Sequence, residues 1–334
     1  MNKNYDVIII GAGPAGIECA RGLADTKHSV LLIEKNNIIG PKTCAGGLTN
    51  LDSSFVIPEK KTRTFNNLIV YRDNTKHIVS LAHPLKTISR IDLGKHQIKG
   101  IVRKKNITIL KKEAVKEIRN NVIITSKGAY NYKYLVGADG SNSTVRKYLG
   151  LNAKACMGMY YNIPVITDSI IWCFKPRTLK SGYIWVFPHK THTNIGVYYD
   201  PNHVSGAIAK NALEEYLLTA EYDYTNTELE AAPINYSYEG VIHNNIFLAG
   251  DAAGLASKIT GEGIAFALTS GNEISKKILN PNYDMIELNR ILEYKRRQEY
   301  MLKIFERMPL MQPLFFRMMI RMMKNKSFQT YIGE

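Results

Sequence analysis

Residues 5–10 form a short run rich in β-branched side chains, and Gly11-Ala12-Gly13-Pro14-Ala15-Gly16 follows it without a gap. A run of that kind reads as a buried parallel strand, and the glycines supply a turn tight enough to pass straight into a helix over residues 15–24. A second apolar run over residues 29–34 ends in an acid, Glu34, 18 positions after Gly16 (34 − 16). Strand, Gly-rich turn, helix and strand in about 30 residues make one βαβ unit, the opening of a doubly wound fold. In such a turn the missing side chains let backbone N–H groups approach a pyrophosphate, and an acid at the end of the next strand can accept hydrogen bonds from a ribose. Gly11, Gly13, Ala15, Gly16, Glu34 and the adjacent Lys35 are therefore candidate cofactor-binding residues. The turn alone does not separate NAD from FAD, since both present the same adenosine diphosphate.

Composition narrows the class. Hydrophobic residues make up 45% and charged residues 22% of 334, ordinary globular usage that excludes a disordered chain. No apolar stretch approaches the roughly 20 residues that span a bilayer. Lys plus Arg exceed Asp plus Glu by 44 to 29, a surplus of +15 that favours anionic contacts. No RNA-binding or helix-turn-helix signature accompanies the surplus, so nucleic acid is not expected as a partner. Cys19, Cys44, Cys156 and Cys173 contain no C-x-x-C pair, which fits a reducing compartment. Asp6, Glu18 and Arg21 break up the N-terminal apolar stretch, so export is not expected and the location reads as cytoplasmic.

Further along, residues 65–81 and 157–199 change to short runs rich in Ile, Val, Tyr, Trp and Phe separated by turn residues, which predicts antiparallel strands. Nucleotide-domain features return at residues 129–140 and 245–271. The expected architecture is α/β: a discontinuous Rossmann-like domain (1–60, 83–155 and 235–285), an inserted antiparallel β-sheet substrate domain (61–82 and 156–234), and C-terminal helices (286–334).

Two more segments, Leu135-Val136-Gly137-Ala138-Asp139-Gly140-Ser141 and Ile246-Phe247-Leu248-Ala249-Gly250-Asp251-Ala252-Ala253-Gly254, are apolar strands that stop at a Gly/Asp pair. With the Gly-rich turn, this set resembles the flavoprotein group that contains the aromatic hydroxylases and the geranylgeranyl reductases, over nearly the whole chain. The resemblance implies FAD as cofactor, with Asp251 on the ribityl chain and Asp139 and Gly140 in the cofactor site. It also places Arg90 against the cofactor and Val115 behind the adenine; a surface Arg opening a helix is the other reading of Arg90.

Two segments favour the reductase branch. Pro41-Lys42-Thr43-Cys44-Ala45-Gly46-Gly47-Leu48 is similar to that family's Cys-Gly-Gly loop beside the isoalloxazine ring, which implies cofactor contacts for Cys44, Ala45 and Gly47. A thiol there could position substrate or relay a proton, or simply fill space. Gly182-Tyr183-Ile184-Trp185-Val186-Phe187-Pro188, with Gly196 downstream, is similar to the family's Y-x-W-x-F-P motif. In a strand Tyr183, Trp185 and Phe187 share one face, so they form either an aromatic wall for a long hydrocarbon or plain core. Thr260-Gly261-Glu262-Gly263-Ile264 matches the loop whose amides face the flavin pyrimidine edge, implying cofactor contacts for Gly263 and Ile264. Glu262 is a proton donor or a helix N-terminal acid.

His189-Lys190-Thr191-His192 has no nearby acidic or cysteine partner in the sequence and reads as a solvated loop, not a metal site. Residues 308–326 hold six of the 11 methionines, with Arg317, Arg321 and Lys324 along one helical stripe. Such a helix either lies on an anionic membrane or packs its apolar face onto the protein. The resemblance implies a FAD-dependent reductase that saturates C=C bonds of geranylgeranyl-type chains of isoprenoid lipids. It would take electrons from an external donor, NAD(P)H or a ferredoxin-like carrier, and touch the inner face of the membrane through its C-terminal segment. A FAD-dependent monooxygenase and a non-catalytic lipid-binding flavoprotein are the alternatives. Cys44 and Glu262 are the candidate catalytic residues, Tyr183, Trp185 and Phe187 the candidate substrate-binding residues.

Overall fold

The computed structural model describes residues 3–48, 55–308 and 311–326. Lys3–Ile10 pairs in parallel with Val30–Glu34 on one side and Ala129–Gly137 on the other. Ile107–Lys111 and Ile246–Leu248 extend this sheet in parallel at either end. The Ile and Val side chains of Lys3–Ile10 and the whole of Val30–Glu34 are buried, as both faces of a parallel sheet must be.

Register decides where the chemistry can sit. Ile10 lies level with Ile33 and Gly137, and Leu248 is level with Gly137. The Gly-rich turn, Glu34, Asp139 and the segment 249–251 therefore leave the sheet along one carboxyl edge, the crevice where open α/β sheets take ligands. Helix Pro14–Gly22 packs on helix Ile264–Leu279 so closely that a Cβ on Gly271 would come within 2.1 Å of the Ala15 carbonyl oxygen.

The second sheet runs, by neighbours, Glu230–Asn235, Ala155–Ile163, Thr193–Tyr199, Tyr183–Pro188, Ile170–Phe174, Arg63–Arg72, Thr75–Thr87 and Gly47–Leu48. It is antiparallel apart from one parallel junction between Ile170–Phe174 and Arg63–Arg72, a pairing that the long intervening chain makes possible. Its strands alternate cleanly. Ile184, Val186, Ile195 and Val197 pack under helix Gly206–Thr219, while Tyr183, Trp185, Phe187 and Tyr198 face the other way in a separate cluster.

Helix Ile286–Arg307 is followed by helix Gln312–Lys324, which buries Phe316 and Ile320 in that aromatic cluster. Phe316 meets Phe174 at 5.4 Å between ring centroids, and Phe174 meets Tyr183 at 5.6 Å. One face of the C-terminal helix thus packs on the protein. Leu314 and Met318 on it remain exposed beside Arg317 and Arg321.

Candidate active site

A cavity of about 470 Å³ runs from the carboxyl edge of the first sheet to the aromatic face of the second. Its lining includes Lys35 and Val115, Gly11, Gly13, Ala15, Gly140 and Asp251, and Cys44, Ala45, Gly47 and the three aromatic residues Tyr183, Trp185 and Phe187. Arg90, Asp139, Glu262, Gly263 and Ile264 also line it. Of the residues singled out in the sequence, Gly16 alone is absent from the lining. It serves the turn instead, because a Cβ there would lie 1.9 Å from the Gly11 carbonyl oxygen.

Glu34 both lines the cavity and holds its wall: one carboxylate oxygen accepts the Ala12 N–H at 2.9 Å, the other the Asn36 N–H at 2.9 Å. Asp139 accepts the Thr144 N–H at 2.7 Å, starting helix Thr144–Tyr148. Its Oδ1 is buried without a hydrogen-bond partner, and burial raises its pKa. Arg90, the first residue of helix Arg90–Lys99, is also buried, and its Nε lacks a partner. An unpaired acceptor and an unpaired donor on the same cavity, with Gly13 free of any atom within 4 Å of an added Cβ, fit a polar ligand laid along the crevice. These residues fit FAD.

Asp251 Oδ2 accepts hydrogen bonds from Lys42 Nζ at 2.6 Å and Ser141 Oγ at 3.0 Å. Desolvation pushes the Asp251 carboxyl up, but Lys42, Ser141 and Arg90 together outweigh it, so the group ionises below the ordinary carboxylate range. Asn235 Nδ2 donates to the Asp251 carbonyl at 2.9 Å and fixes its backbone. Lys42 and Ser141 lie inside the motifs read from the sequence and Asn235 outside them, yet nothing in their local pattern ties any of the three to Asp251.

The helix after the Gly-Asp segment begins at Ile264, because Gly261 has φ +69° and Gly263 lies outside the helical region. Glu262 therefore stands in the loop ahead of the helix. That loop is tied to the aromatic wall: Tyr183 donates its hydroxyl to the Thr260 carbonyl, and Tyr198 donates to the Lys258 carbonyl at 2.7 Å. Trp185 donates from Nε1 to Asn194 Oδ1 at 2.7 Å.

Cys44 is half-buried and its Sγ accepts the Gly46 N–H at 3.4 Å, whereas Cys19, Cys156 and Cys173 are buried. Behind this loop the solvated reading of the two histidines is corrected. His189 is 4% exposed, stacks on His192 at 4.7 Å and donates from Nε2 to the Ala45 carbonyl at 2.9 Å. The carbonyl has no proton to give, so Nε2 carries one; burial, then His192, push the pKa of the ring down to about 4, which leaves it neutral at pH 7. Elsewhere, Asp200, His203 and Glu306 come together at metal-ligand distances. Lys258 Nζ already lies 3.3 Å from Asp200 and 3.5 Å from Glu306, supplying the positive charge a cation would bring.

Arg146 joins the surrounding segments. It is 1% exposed, and its guanidinium donates to the carbonyls of Asn152, Ser237 and Ala252 at 2.6, 2.8 and 3.1 Å.

A family model described as FAD binding domain matches residues 129–298, and one described as pyridine nucleotide-disulphide oxidoreductase matches residues 5–162. An uncharacterized protein of Methanosarcina barkeri is 33% identical over 317 residues, covering 86% of this chain and 79% of its own. Digeranylgeranylglycerophospholipid reductase 3 of Methanosphaera stadtmanae is 29% identical over 333 residues, covering 87% and 82%. The crystal structure of a geranylgeranyl bacteriochlorophyll reductase-like protein from Thermoplasma acidophilum matches with a TM-score of 0.73 and 22% identity, over 92% of this chain and 84% of that one.

Proposed function

The chain belongs to the FAD-binding-domain family as an FAD-dependent oxidoreductase of the geranylgeranyl reductase group, and we propose that it saturates isolated C=C bonds in polyprenyl chains of isoprenoid lipids. The observation that carries this reading is the continuity of one cavity from the Gly-rich turn to Tyr183, Trp185 and Phe187. A cofactor crevice that opens onto an aromatic wall suits a long hydrocarbon laid against the reactive end of the cofactor.

FAD, when bound in reduced form, supplies the hydride. The protein supplies the rest. Gly11, Gly13, Ala15 and Gly140 leave room for the phosphates and bring backbone amides to them; Glu34 and Lys35 hold the ribose end, with Val115 behind the adenine. Asp251 takes the ribityl hydroxyls, and Arg90 and Asp139 offer a donor and an acceptor along the crevice. Ala45, Gly47, Gly263 and Ile264 allow close approach to the ring. An isolated alkene is a poor electrophile, so it needs a proton as it accepts hydride; Cys44 Sγ and the Glu262 carboxyl are the two acids first expected to give it. Tyr183, Trp185 and Phe187 exclude water from the reacting carbons.

The electrons come in this reading from an external donor, NAD(P)H or a ferredoxin-like carrier. Exposed Leu314 and Met318 beside Arg317 and Arg321 support contact of the C-terminal helix with the inner face of an anionic membrane. Among the described residues no helix is long and apolar enough to cross a membrane.

The test is to reduce the purified holoprotein without oxygen, add geranylgeranylated lipid, and follow flavin reoxidation with mass spectrometry of the lipid. The expected product gains two hydrogens per bond. Gain of oxygen on admitting air would replace the reductase with a hydroxylase. Binding without reoxidation or turnover would make the protein a lipid-binding flavoprotein.

A further inference from the structure

Tyr160 and Glu230 are directly opposite one another in the antiparallel pair formed by Ala155–Ile163 and Glu230–Asn235. The register brings the Tyr160 hydroxyl to within 2.8 Å of Glu230 Oε2, to which it donates. Tyr160 lines the cavity and is 4% exposed, whereas Glu230 is not part of the lining and is half-exposed. The pair therefore links a cavity-lining phenol to a carboxylate outside the lining. Cys44 lines the same cavity as the phenol. Asn162 Nδ2 donates to Glu230 Oε1 at 3.2 Å, and Thr43 Oγ1, itself on the cavity lining, donates to Oε2 at 3.4 Å.

We propose that Tyr160 is the proton donor to the alkene and that Glu230 reloads it from solvent. This rests on the reductase reading above. With reduced flavin bound to supply hydride for one new C–H bond, the electron pair of the C=C bond would take the Tyr160 hydroxyl proton to form the other. The Glu230 carboxylate, which accepts the Tyr160 hydrogen bond at rest, takes a proton from water and passes it to the phenolate oxygen. Atoms and charge balance: two electrons and one hydrogen come from the flavin, one proton from bulk solvent through two side chains.

Several observations favour this path over Cys44 or Glu262 acting alone. A donor enclosed by aromatic side chains needs a route for its next proton, and a half-exposed carboxylate joined to it by one hydrogen bond is such a route. Burial, then Glu230, raise the pKa of Tyr160, so the phenol keeps its proton until a stronger base develops in the cavity. The alternative is a cross-strand polar pair with no part in the chemistry.

The experiment compares holoprotein variants Tyr160→Phe and Glu230→Gln with wild type, using anaerobically reduced protein and geranylgeranylated lipid. Three control readouts are bound flavin per chain, lipid affinity, and reoxidation by ferricyanide, which needs no proton donor. The expected result is lipid-driven reoxidation slowed about a hundredfold in Tyr160→Phe with the controls unchanged. Glu230→Gln, which keeps the hydrogen-bond partner but has no proton to pass, should be slowed in the same direction by less. Wild-type rates in both variants overturn the relay and leave the reductase standing. A wild-type protein that lipid does not reoxidise overturns both. Should Tyr160→Phe fail to fold, Glu230→Gln decides alone, since a purely structural pair would tolerate Gln.

Discussion

Lys42 Nζ lies 2.6 Å from Asp251 Oδ2, joining residues 209 positions apart on two walls of one cavity. The bridge keeps Asp251 ionised in a place that desolvation would otherwise make hostile to charge. An ionised carboxylate there is an acceptor for hydroxyls, and its loss removes both the acceptor and the partner of Lys42. Asp251→Ala should purify without yellow colour, and equilibrium dialysis should show FAD binding reduced at least tenfold, an order of magnitude suited to one charged hydrogen-bonding group. Full occupancy by FAD in the variant would remove Asp251 from the cofactor site.

The glycines of the first turn should separate into two classes. A methyl group on Gly16 collides with the Gly11 carbonyl, so Gly16→Ala should lose roughly 1–3 kcal/mol of stability along with its flavin. Gly13 has extended backbone and nothing within 4 Å of an added Cβ. Gly13→Ala should melt with the wild-type apoprotein and still bind FAD more weakly, because its methyl enters the crevice. Thermal unfolding with and without FAD checks both, and equal melting of the two apoproteins would contradict the distinction.

His189 gives the fold an acid limit. Above pH 6.5 the imidazole is neutral folded and unfolded; between 6.5 and about 4 the unfolded chain takes up a proton that the folded one refuses. Stability from this group is therefore lost as pH falls through that window, by roughly 3 kcal/mol at its lower end. His192, stacked on it and also shifted down by burial, adds in the same direction, with Asp92 opposing. Urea melts from pH 7.5 to 4.5 should show a shallower decline in His189→Gln than in wild type, and parallel declines would count against the assignment.

Leu314 and Met318 are 55% and 50% exposed on the C-terminal helix, so charging them should not disturb the core beneath. The double variant Leu314→Glu, Met318→Glu should keep its flavin and melting temperature and co-sediment with phosphatidylglycerol vesicles about tenfold less. Unchanged sedimentation would argue that membrane contact, if present, lies elsewhere.

The parts legible in the sequence were those whose physics is local. A β-branched run followed by glycines announces strand and turn within a dozen residues, and alternation alone put Tyr183, Trp185 and Phe187 on one face. The Gly-Asp strand ends were readable for the same reason. Lys42, Tyr160, Glu230, Asn235 and Arg146 were not, because each acquires its partner through strand register or loop approach over long separations. Tyr160 and Glu230 are 70 positions apart and meet only because one strand is paired at one offset; a slip of a single residue would turn one of them to the opposite face. His189 was misread because composition marks a loop as wet, and only packing against Gly46 and Ala45 reveals that this one is not. In Asp139 the pattern showed a strand end but not that one oxygen starts a helix.

Arg146 has a consequence for how the protein is made. Its buried guanidinium needs carbonyls from residues 152, 237 and 252, so three-quarters of the chain must leave the ribosome before that charge can be matched. The nascent N-terminal half can form its opening βαβ unit early, but Arg146 stays hydrated rather than buried until the later segments, Glu239 among them, arrive. Asp251, which lines the cofactor cavity, comes with the same late segment, so the cavity is complete only once that segment has been made.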